Sequence, residues 1–261
     1  MEIFALASGS SGNCFYAGEK KKGILIDAGI SAKRICEGLD SAGRSASDIL
    51  GIFITHEHID HIRGADVFAR KFNVPVYATE KTLNSAFICS NHSLLKPIER
   101  KDSIRIGRFT VESFPKFHSA ADPVSFTVIG NGKDGKKKRA GIITDIGRAC
   151  PSVCSEVKDS DFLFIESNYD PKMLEEGPYH PWHKAWIQSG EGHISNNQAG
   201  LCVLEHSSHK LKGVILSHLS GTNNFPELAL KTFKSLVRER TDFRGIIDVS
   251  RRGLPTDMFR L

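Results

Sequence analysis

Short apolar runs alternate with amphipathic segments along the 261 residues of the chain. Strands are predicted at 2–7, 13–17, 22–27, 49–54 and 74–78, and again at 103–107, 109–114, 124–129, 139–143, 161–166 and 213–216. Helices are predicted from Ser31 to about Leu39, after the 49–54 strand to about Phe72, from Thr79 to about Ser90, and at about 195–207 and 226–239. We therefore predict an α/β (α+β) protein in which two mixed sheets pack face to face with helices outside.

Composition is that of a globular protein, with 40% hydrophobic and 25% charged residues. We predict a single domain over 1–261, made of two pseudo-symmetric halves with a boundary near 110–120. No apolar run approaches the length of a membrane span, and residues 1–8 lack the basic segment of a signal peptide. Six cysteines without a C-x-x-C pair are typical of reduced thiols, so we expect a cytoplasmic protein.

The net charge of +5 is mild, but two basic runs stand out. Lys20–Lys22 and Lys136–Arg139 flank predicted hairpin turns. Solvated turns are the simpler interpretation of these runs. Contact with a polyanion such as nucleic acid is the alternative.

The segment 55–61 reads T-H-E-H-I-D-H and directly follows the apolar run 49–54. His56 and His58 are two positions apart, so a near-extended backbone points both imidazoles to the same side. Asp60 and His61 follow where the chain turns towards the next helix, and they can face a second metal. A chance cluster of surface histidines is the alternative, but four fixed ligand positions after a buried strand favour a metal site.

Further ligands must come from downstream if the site holds two metals. His118, Asp145 and His218 each stand at the end of a strand-like run. Side chains just past an apolar strand lie at a sheet edge, where sites form. Taken alone, each of these residues would be interpreted as structural or solvent-exposed. Taken together, in this order after the segment 55–61, they indicate a shared site.

Eight motifs together resemble one protein family. They are S-G-S-S-G-N (8–13), T-H-E-H-x-D-H (55–61), D-P (122–123), T-D-I-G (144–147), E-S-N-Y-D (166–170), G-P-Y (177–179), G-H-I-S-N (192–196) and L-S-H-L-S-x-x-N-N (216–224). The first metal motif resembles the metallo-β-lactamase superfamily as a whole. The motifs at 192–196 and 216–224 narrow the resemblance to the YycJ/VicX (WalJ) subfamily of metal-dependent nucleases.

The resemblance implies a four-layer αββα sandwich, the metallo-β-lactamase fold, with its site at one edge. By motif, one metal would be held by His56, His58 and His118, a second by Asp60, His61 and His218, and Asp145 would bridge the two. The implied activity is hydrolysis of DNA, in particular exonucleolytic trimming of double-stranded ends linked to mismatch repair. The family usually has Asp directly after the third-motif histidine, where this chain has Ser119, so turnover here is open to alteration.

The donor set also indicates phosphodiester chemistry. Two divalent metals with Asp60, Asp145, neutral histidines and a bridging hydroxide leave a net positive centre, which suits an anion. Metals about 3.5–4 Å apart bind phosphate oxygens and activate a hydroxide at neutral pH. Zinc is the default for an imidazole-rich set, with manganese or iron as alternatives. Asp60 is therefore predicted to be catalytic as well as a ligand.

His193 is the catalytic candidate outside the metal ligands. It precedes a predicted helix whose Ser195 and Gln198 form an S-x-x-Q capping box. A free helix N-terminus attracts phosphate, so His193 is predicted to hold the scissile phosphate or protonate the leaving oxygen, while packing of the turn is the alternative. Ser10, Asn13 and Ser195 are further predicted substrate-binding residues.

The leading hypothesis is a metal-dependent hydrolase acting on nucleic acid, with DNA preferred to RNA and no membrane partner. Hydrolysis of small phosphodiesters, or of esters, thioesters or lactams on the same fold, is the second. A metal-bearing module that binds DNA or a partner without catalysis is the third, and salt-sensitive DNA binding without cleavage would favour it. Exo or endo mode, polarity and oligomeric state are not indicated by any motif.

Overall fold

The computed structural model describes residues 1–238 and 243–261. Within these ranges the strands form two seven-stranded mixed sheets. The strands of the first sheet are β1 (Glu2–Ala7), β2 (Cys14–Glu19), β3 (Lys22–Ile26), β4 (Ile49–Phe53), β5 (Val76–Thr79), β6 (Leu95–Ile98) and β14 (Phe259–Arg260), in the spatial order β14-β1-β2-β3-β4-β5-β6. The strands of the second are β7 (Ser103–Ile106), β8 (Phe109–Pro115), β9 (Val124–Asn131), β10 (Lys137–Ile143), β11 (Phe162–Glu166), β12 (Gly213–Ser217) and β13 (Ile246–Val249), in the order β13-β12-β11-β10-β9-β8-β7.

The helices of the described residues are α1 (Ala32–Ser41), α2 (Ile59–Ile62), α3 (Ala65–Phe72), α4 (Glu80–Ser85), α5 (Pro151–Asp159), α6 (Pro171–Glu176), α7 (Pro181–Gln188), α8 (Asn196–His206) and α9 (Pro226–Val237). Apart from α2 and α3, they begin where a capping side chain or a proline favours a first turn. Ser31 and Thr79 cap α1 and α4 with their hydroxyls, as the sequence predicts. Proline occupies the first turn of α5, α6, α7 and α9, where its missing N–H has no helical partner to lose.

Three apolar layers hold the molecule together. The helices α1 and α3 cover the outer face of the first sheet, where Ile35 and Phe68 are fully buried. Rings from the two sheets meet between them, for example Phe15 and Phe164 with centroids 5.1 Å apart. The helices α5, α8 and α9 cover the second sheet with residues such as Phe233. The predicted αββα sandwich is confirmed.

The strand directions place all the ligand motifs at one edge. In the first sheet β3, β4, β5 and β6 are parallel, and in the second β10, β11, β12 and β13 are parallel. Strand β8 runs the same way as β10, because both are antiparallel to β9. The chain therefore leaves β4, β8, β10 and β12 at the edge where the motifs at 55–61, His118, Asp145 and His218 follow.

The two basic runs lie at the opposite end of the strands. Lys20–Lys22 precedes and opens β3, and Lys136–Arg139 precedes and opens β10, whereas the motifs follow the other ends of the parallel strands. Lys22 pairs with Asp48 at 2.7 Å, and Arg139 pairs with Glu112 and Glu156. These contacts agree with solvated turns. Because both runs lie at the opposite end of the strands, they are distant from the edge that carries the ligand motifs.

Several elements differ from the predictions. The helix predicted from Thr79 to about Ser90 is wrong in its length, because α4 ends at Ser85. Strands β6, β13 and β14 and helices α5, α6 and α7 were not predicted, and residue 239, the predicted end of the last helix, lies outside the described residues. The predicted boundary between two halves of a single domain, near 110–120, stays a prediction. In the structure the chain crosses from the first sheet to the second earlier, between Ile98 and Ser103. None of the described helices is long and apolar enough to cross a bilayer.

Candidate active site

The fold brings all seven predicted ligands together at the edge described above. Donor atoms within 4.8 Å of one another form overlapping groups, which include His56 with His58 and His118, Asp60 with His61 and His218, and His56 with His61 and Asp145. A fourth group joins Asp145 and His218 to Glu166 and His193. The residues come from four segments that follow four different strands, so the site exists only in the folded chain.

The first cluster consists of three imidazoles. His56 Nε2 lies 3.0 Å from His58 Nδ1, and His118 Nε2 lies 3.3 Å from the same atom. Nitrogen ligands at 2.0–2.1 Å from a tetrahedral zinc ion would be about 3.3–3.4 Å apart. The spacing of these nitrogens therefore matches one face of a tetrahedral metal site.

Hydrogen bonds at the other ring nitrogens fix the tautomers of this cluster. His118 Nδ1 donates to the Gly192 carbonyl at 3.0 Å, and His58 Nε2 donates to the Ser119 carbonyl at 3.1 Å. A carbonyl oxygen can only accept, so in the neutral rings the facing nitrogens carry lone pairs. Thr55 donates to Asp27 and so accepts from His56 Nδ1 at 2.9 Å, which leaves the His56 Nε2 lone pair facing the others. Three convergent lone pairs repel one another unless a cation lies between them.

The second cluster adds carboxylates. His61 Nε2 lies 3.4 Å from Asp60 Oδ2 and 3.1 Å from Asp145 Oδ2. His218 Nε2 lies 3.3 Å from Asp145 Oδ1 and 3.6 Å from Asp60 Oδ2. Asp145 also approaches His118 Nε2 at 3.9 Å, so its two oxygens lie between the clusters.

Two buried carboxylates hold the histidines of this second cluster. Asp27 accepts from His61 Nδ1 at 2.7 Å, and Glu166 accepts from His218 Nδ1 at 3.0 Å and from His193 Nδ1 at 2.7 Å. Both carboxylates are 0% exposed. Each contact fixes the ring and turns its Nε2 towards the site. Neither residue was predicted to act here, although Asp27 ends a predicted strand and Glu166 opens the quoted motif at 166–170.

The electrostatic environment differs between the two clusters. Burial lowers the pKa of His56 and lowers the pKa of His118 to about 3, so both rings stay neutral. Burial also acts to lower the pKa of His218, but the neighbouring carboxylates, Asp145 foremost, outweigh it and raise the pKa to about 10. The first cluster is thus prepared for a cation, and the second attracts positive charge.

Two buried polar atoms provide a direct test of whether metal ions fit. Asp145 Oδ2 and His218 Nε2 are buried and lack a hydrogen-bond partner among the described residues. Unsatisfied buried groups of this kind are costly, and the cost vanishes when a cation binds them. Together with the convergent lone pairs, they show that the donor set fits divalent metal ions.

The backbone is strained where it presents these side chains. Asp27, Asp145 and His218 have φ values of 59°, 53° and 56°, in the left-handed region that non-glycine residues rarely adopt. Gly29 is also required by close approach, because a Cβ there would lie 1.6 Å from the Asp60 carbonyl oxygen. Strain concentrated at ligands and their supports is typical of a functional site.

The four predicted substrate-binding residues lie in different environments. His193 is half-buried and held by Glu166, so its Nε2 carries the free lone pair. Ser195 accepts from Gln198 N and Gln198 Oε1 accepts from Ser195 N, which confirms the predicted capping box at the start of α8. Asn13 donates to Asp60 Oδ2 at 3.2 Å, and Ser10 is exposed nearby on the same loop. Substrate contact by these residues stays a prediction.

Ser119, the departure from the family pattern, holds neighbouring side chains. Its backbone carbonyl accepts from His58, a contact that any residue at this position could make. Its hydroxyl accepts from Trp186 Nε1 at 3.1 Å and donates to the Glu191 carbonyl. The predicted ligand His58 is therefore oriented without the acidic side chain.

Comparison with known proteins agrees with this geometry. The model of the metallo-beta-lactamase superfamily matches residues 7–164. Exodeoxyribonuclease YycJ of Bacillus anthracis is 36% identical over 248 residues, which cover 92% of this chain and 90% of that protein. Exodeoxyribonuclease WalJ of Streptococcus pneumoniae serotype 2 (strain D39 / NCTC 7466) is 38% identical over 232 residues, which cover 87% of this chain and 84% of that protein.

Solved structures share the fold at much lower sequence identity. The crystal structure of the metallo-beta-lactamase fold protein YhfI from Bacillus subtilis superposes with a TM-score of 0.72 and 14% identity, covering 98% of this chain and 99% of that one. This likeness concerns the fold alone. The family model and the two relatives together assign the chain: it belongs to the metallo-β-lactamase superfamily and, within it, to the family of the YycJ and WalJ proteins.

Proposed function

We propose that the protein is a metal-dependent phosphodiesterase that removes nucleotides from the ends of double-stranded DNA. The observation that carries the proposal is the pair of donor clusters linked by Asp145, with His193 half-buried beside them. The activity named for the YycJ and WalJ relatives supports DNA as the substrate. A role in DNA repair and a cytoplasmic location belong to the same proposal, and six free cysteines support the latter.

Two divalent ions are proposed, with zinc as the default and manganese or iron as alternatives. His56, His58 and His118 would hold one ion, Asp60, His61 and His218 the other, and Asp145 would contact both. Bound there, the ions would supply Lewis acidity towards a phosphodiester oxygen and a lowered pKa for the attacking water.

The chain's own residues position the substrate around that centre. His193 Nε2 is available to the scissile phosphate or, when protonated, to the leaving oxygen, because Glu166 engages Nδ1. The N-terminus of α8 directs positive partial charge to the same region, since Ser195 caps it directly after His193 and Ile194. Asn13 steadies Asp60 through its amide. Nothing in this set reads base identity, so cleavage should not depend on sequence.

The direct test is cleavage of end-labelled double-stranded DNA with added zinc or manganese. Wild-type protein should cleave, and His61→Ala should lose activity by a factor of about 10² or more, because it removes a ligand of the second metal. His209→Ala is the matched control, since this exposed histidine belongs to none of the donor groups. Full activity in His61→Ala would refute the two-metal site.

A matched RNA substrate tests the choice of nucleic acid. RNA and DNA of one sequence differ at the 2′-hydroxyl, which is the group that a protein uses to tell them apart. Faster cleavage of the DNA is expected, and a preference for RNA would contradict the proposed substrate. Regular single-nucleotide products from one end are expected, whereas internal cuts would contradict the exonuclease mode.

A further inference from the structure

Helix α7 carries an aromatic face beside the site. Trp182, His183 and Trp186 lie within about one turn of α7, and the ring of Tyr179, which precedes the helix, stacks on His183. The sequence of α7, PWHKAWIQ, contains no carboxylate. Four rings on one face without negative charge form a surface that an anionic strand can approach.

The rings of this face are in contact with one another. His183 stacks on Tyr179 with centroids 4.6 Å apart and planes 12° apart, and on Trp182 at 5.3 Å and 23°. The imidazole of His183 lies 5.8 Å from Trp186. A pre-assembled stack needs little ordering when another flat ring joins it.

The inner end of the stack is anchored in the candidate active site. Trp186 packs edge-on against His193 at 5.6 Å, and its Nε1 donates to the hydroxyl of Ser119. Its ring also lies 6.4 Å from that of the ligand His118. The stack therefore leads from the ligands outward through Trp186 and His183 to Trp182.

The outer end is open to solvent. Trp182 is 67% exposed, whereas Trp186 and Tyr179 are packed against the small apolar cluster around Ile187. Tryptophan is rarely left this exposed in a folded protein, and here the exposed ring continues a stack. The neighbouring Lys184 is tied back to the Glu175 carbonyl, so it does not cover the indole.

From these contacts we infer that Trp182, supported by His183, stacks against an unpaired base of the strand whose scissile phosphodiester lies at the metal centre. The inference rests on the proposed function and adds a base-binding subsite to it. Ring-to-ring steps of 5.3, 5.8 and 5.6 Å connect Trp182 to His193, so the two rings are at most a few nucleotides of strand apart. Stacking accepts every base, so it agrees with cleavage that is independent of sequence.

Intrinsic fluorescence tests the subsite without any cleavage, because the chain contains two tryptophans, Trp182 and Trp186. In Trp186→Phe the tryptophan emission comes from Trp182 alone, and a phosphorothioate-linked single-stranded oligonucleotide should quench it on binding to the metal-loaded protein. An oligonucleotide of the same length with abasic residues carries the same charge and should bind without quenching. Equal quenching by both oligonucleotides would overturn the inference, as would no quenching by either at saturation.

Binding of the same two oligonucleotides to Trp182 variants gives a second, independent readout. Trp182→Ala should weaken binding of the base-carrying oligonucleotide by roughly 5- to 150-fold and leave the abasic one unchanged. Trp182→Phe keeps a ring and should recover most of the affinity, whereas Trp182→Leu keeps only apolar bulk and should not. Recovery by leucine would favour an apolar protein segment as the occupant and overturn the inference.

Cleavage assays then separate this inference from the proposed function. In Trp182→Ala the KM for DNA with a frayed end should rise while kcat changes little, because Trp182 touches no reacting atom. If the wild-type protein cleaves DNA normally but shows no base-dependent quenching, the subsite is refuted and the proposed nuclease activity stands. If the wild-type protein shows base-dependent quenching but does not cleave, the nuclease activity is refuted and a binding site for single-stranded nucleic acid stands.

Discussion

At the scale of single residues, His193 has the clearest separable role. Its Nδ1 is held by Glu166 and lies 3.9 Å from Asp145 Oδ1, so its Nε2 is the nitrogen available to substrate. We expect His193→Ala to lower kcat by about 10²–10⁴, the usual contribution of a positioned acid or base, with bound metal near the wild-type amount. Single-turnover cleavage and metal analysis of the purified protein measure the two quantities.

The comparison variant is Glu166→Gln, which disturbs both His193 and the proposed ligand His218. This variant should lose metal as well as activity. If His193→Ala lost metal to the same extent, His193 would be a ligand or a structural residue.

That the seven predicted ligands come together could be predicted from sequence, because each follows a strand and the motifs have fixed spacing. Their supports could not, because they act across long separations in the chain. His61 meets Asp27 from 34 positions away, and His218 meets Glu166 from 52 positions away. A lone carboxylate at the end of a buried strand carries no local sign of the ring that it will hold.

At the scale of elements, the capping box of α8 supports the loop that carries His193. Ser195→Ala removes the hydroxyl that accepts from Gln198 N and should destabilise the protein by about 0.5–2 kcal/mol. For a domain of this size, each kcal/mol lowers Tm by about 2–4 °C, which calorimetry resolves. Because the loop 192–195 then frays, kcat should fall as well.

Gln198→Ala is the control for this change, since it breaks the reciprocal bond to Ser195 N and keeps the serine hydroxyl. Its effect on Tm should be the smaller of the two. An unchanged Tm in Ser195→Ala would mean that the cap contributes nothing to stability.

Elements with a clear apolar period were predictable, and those whose pairing comes from elsewhere in the chain were not. The strand β6 contains Pro97 and is half exposed, so its pattern is weak, yet it pairs with β5 along the sheet edge. The strand β14 has two residues and exists through its pairing with β1. The helix predicted to reach Ser90 ends at Ser85 because Ala86 takes an extended conformation.

At the scale of the whole molecule, the position of the basic turns decides whether they serve the substrate. Lys20 and Lys21 lie at the end of the sandwich opposite the ligands, so the double variant Lys20→Gln, Lys21→Gln should keep kcat/KM for DNA within about twofold. The screening length of about 10 Å at 0.1 M salt supports this, because the strands between are longer. A large, salt-dependent loss would assign these turns to DNA binding after all.

One carboxylate described above also bears on how the protein can diverge. Glu166 accepts from the proposed metal ligand His218 and from the proposed phosphate-binding residue His193 through the same oxygen, Oε1. A change at this position is therefore pleiotropic, since it alters metal retention and turnover in a single step. Substitutions at the exposed Trp182 would affect substrate binding without affecting metal retention. We therefore expect new substrate preferences to evolve through changes in α7, while Glu166 is kept.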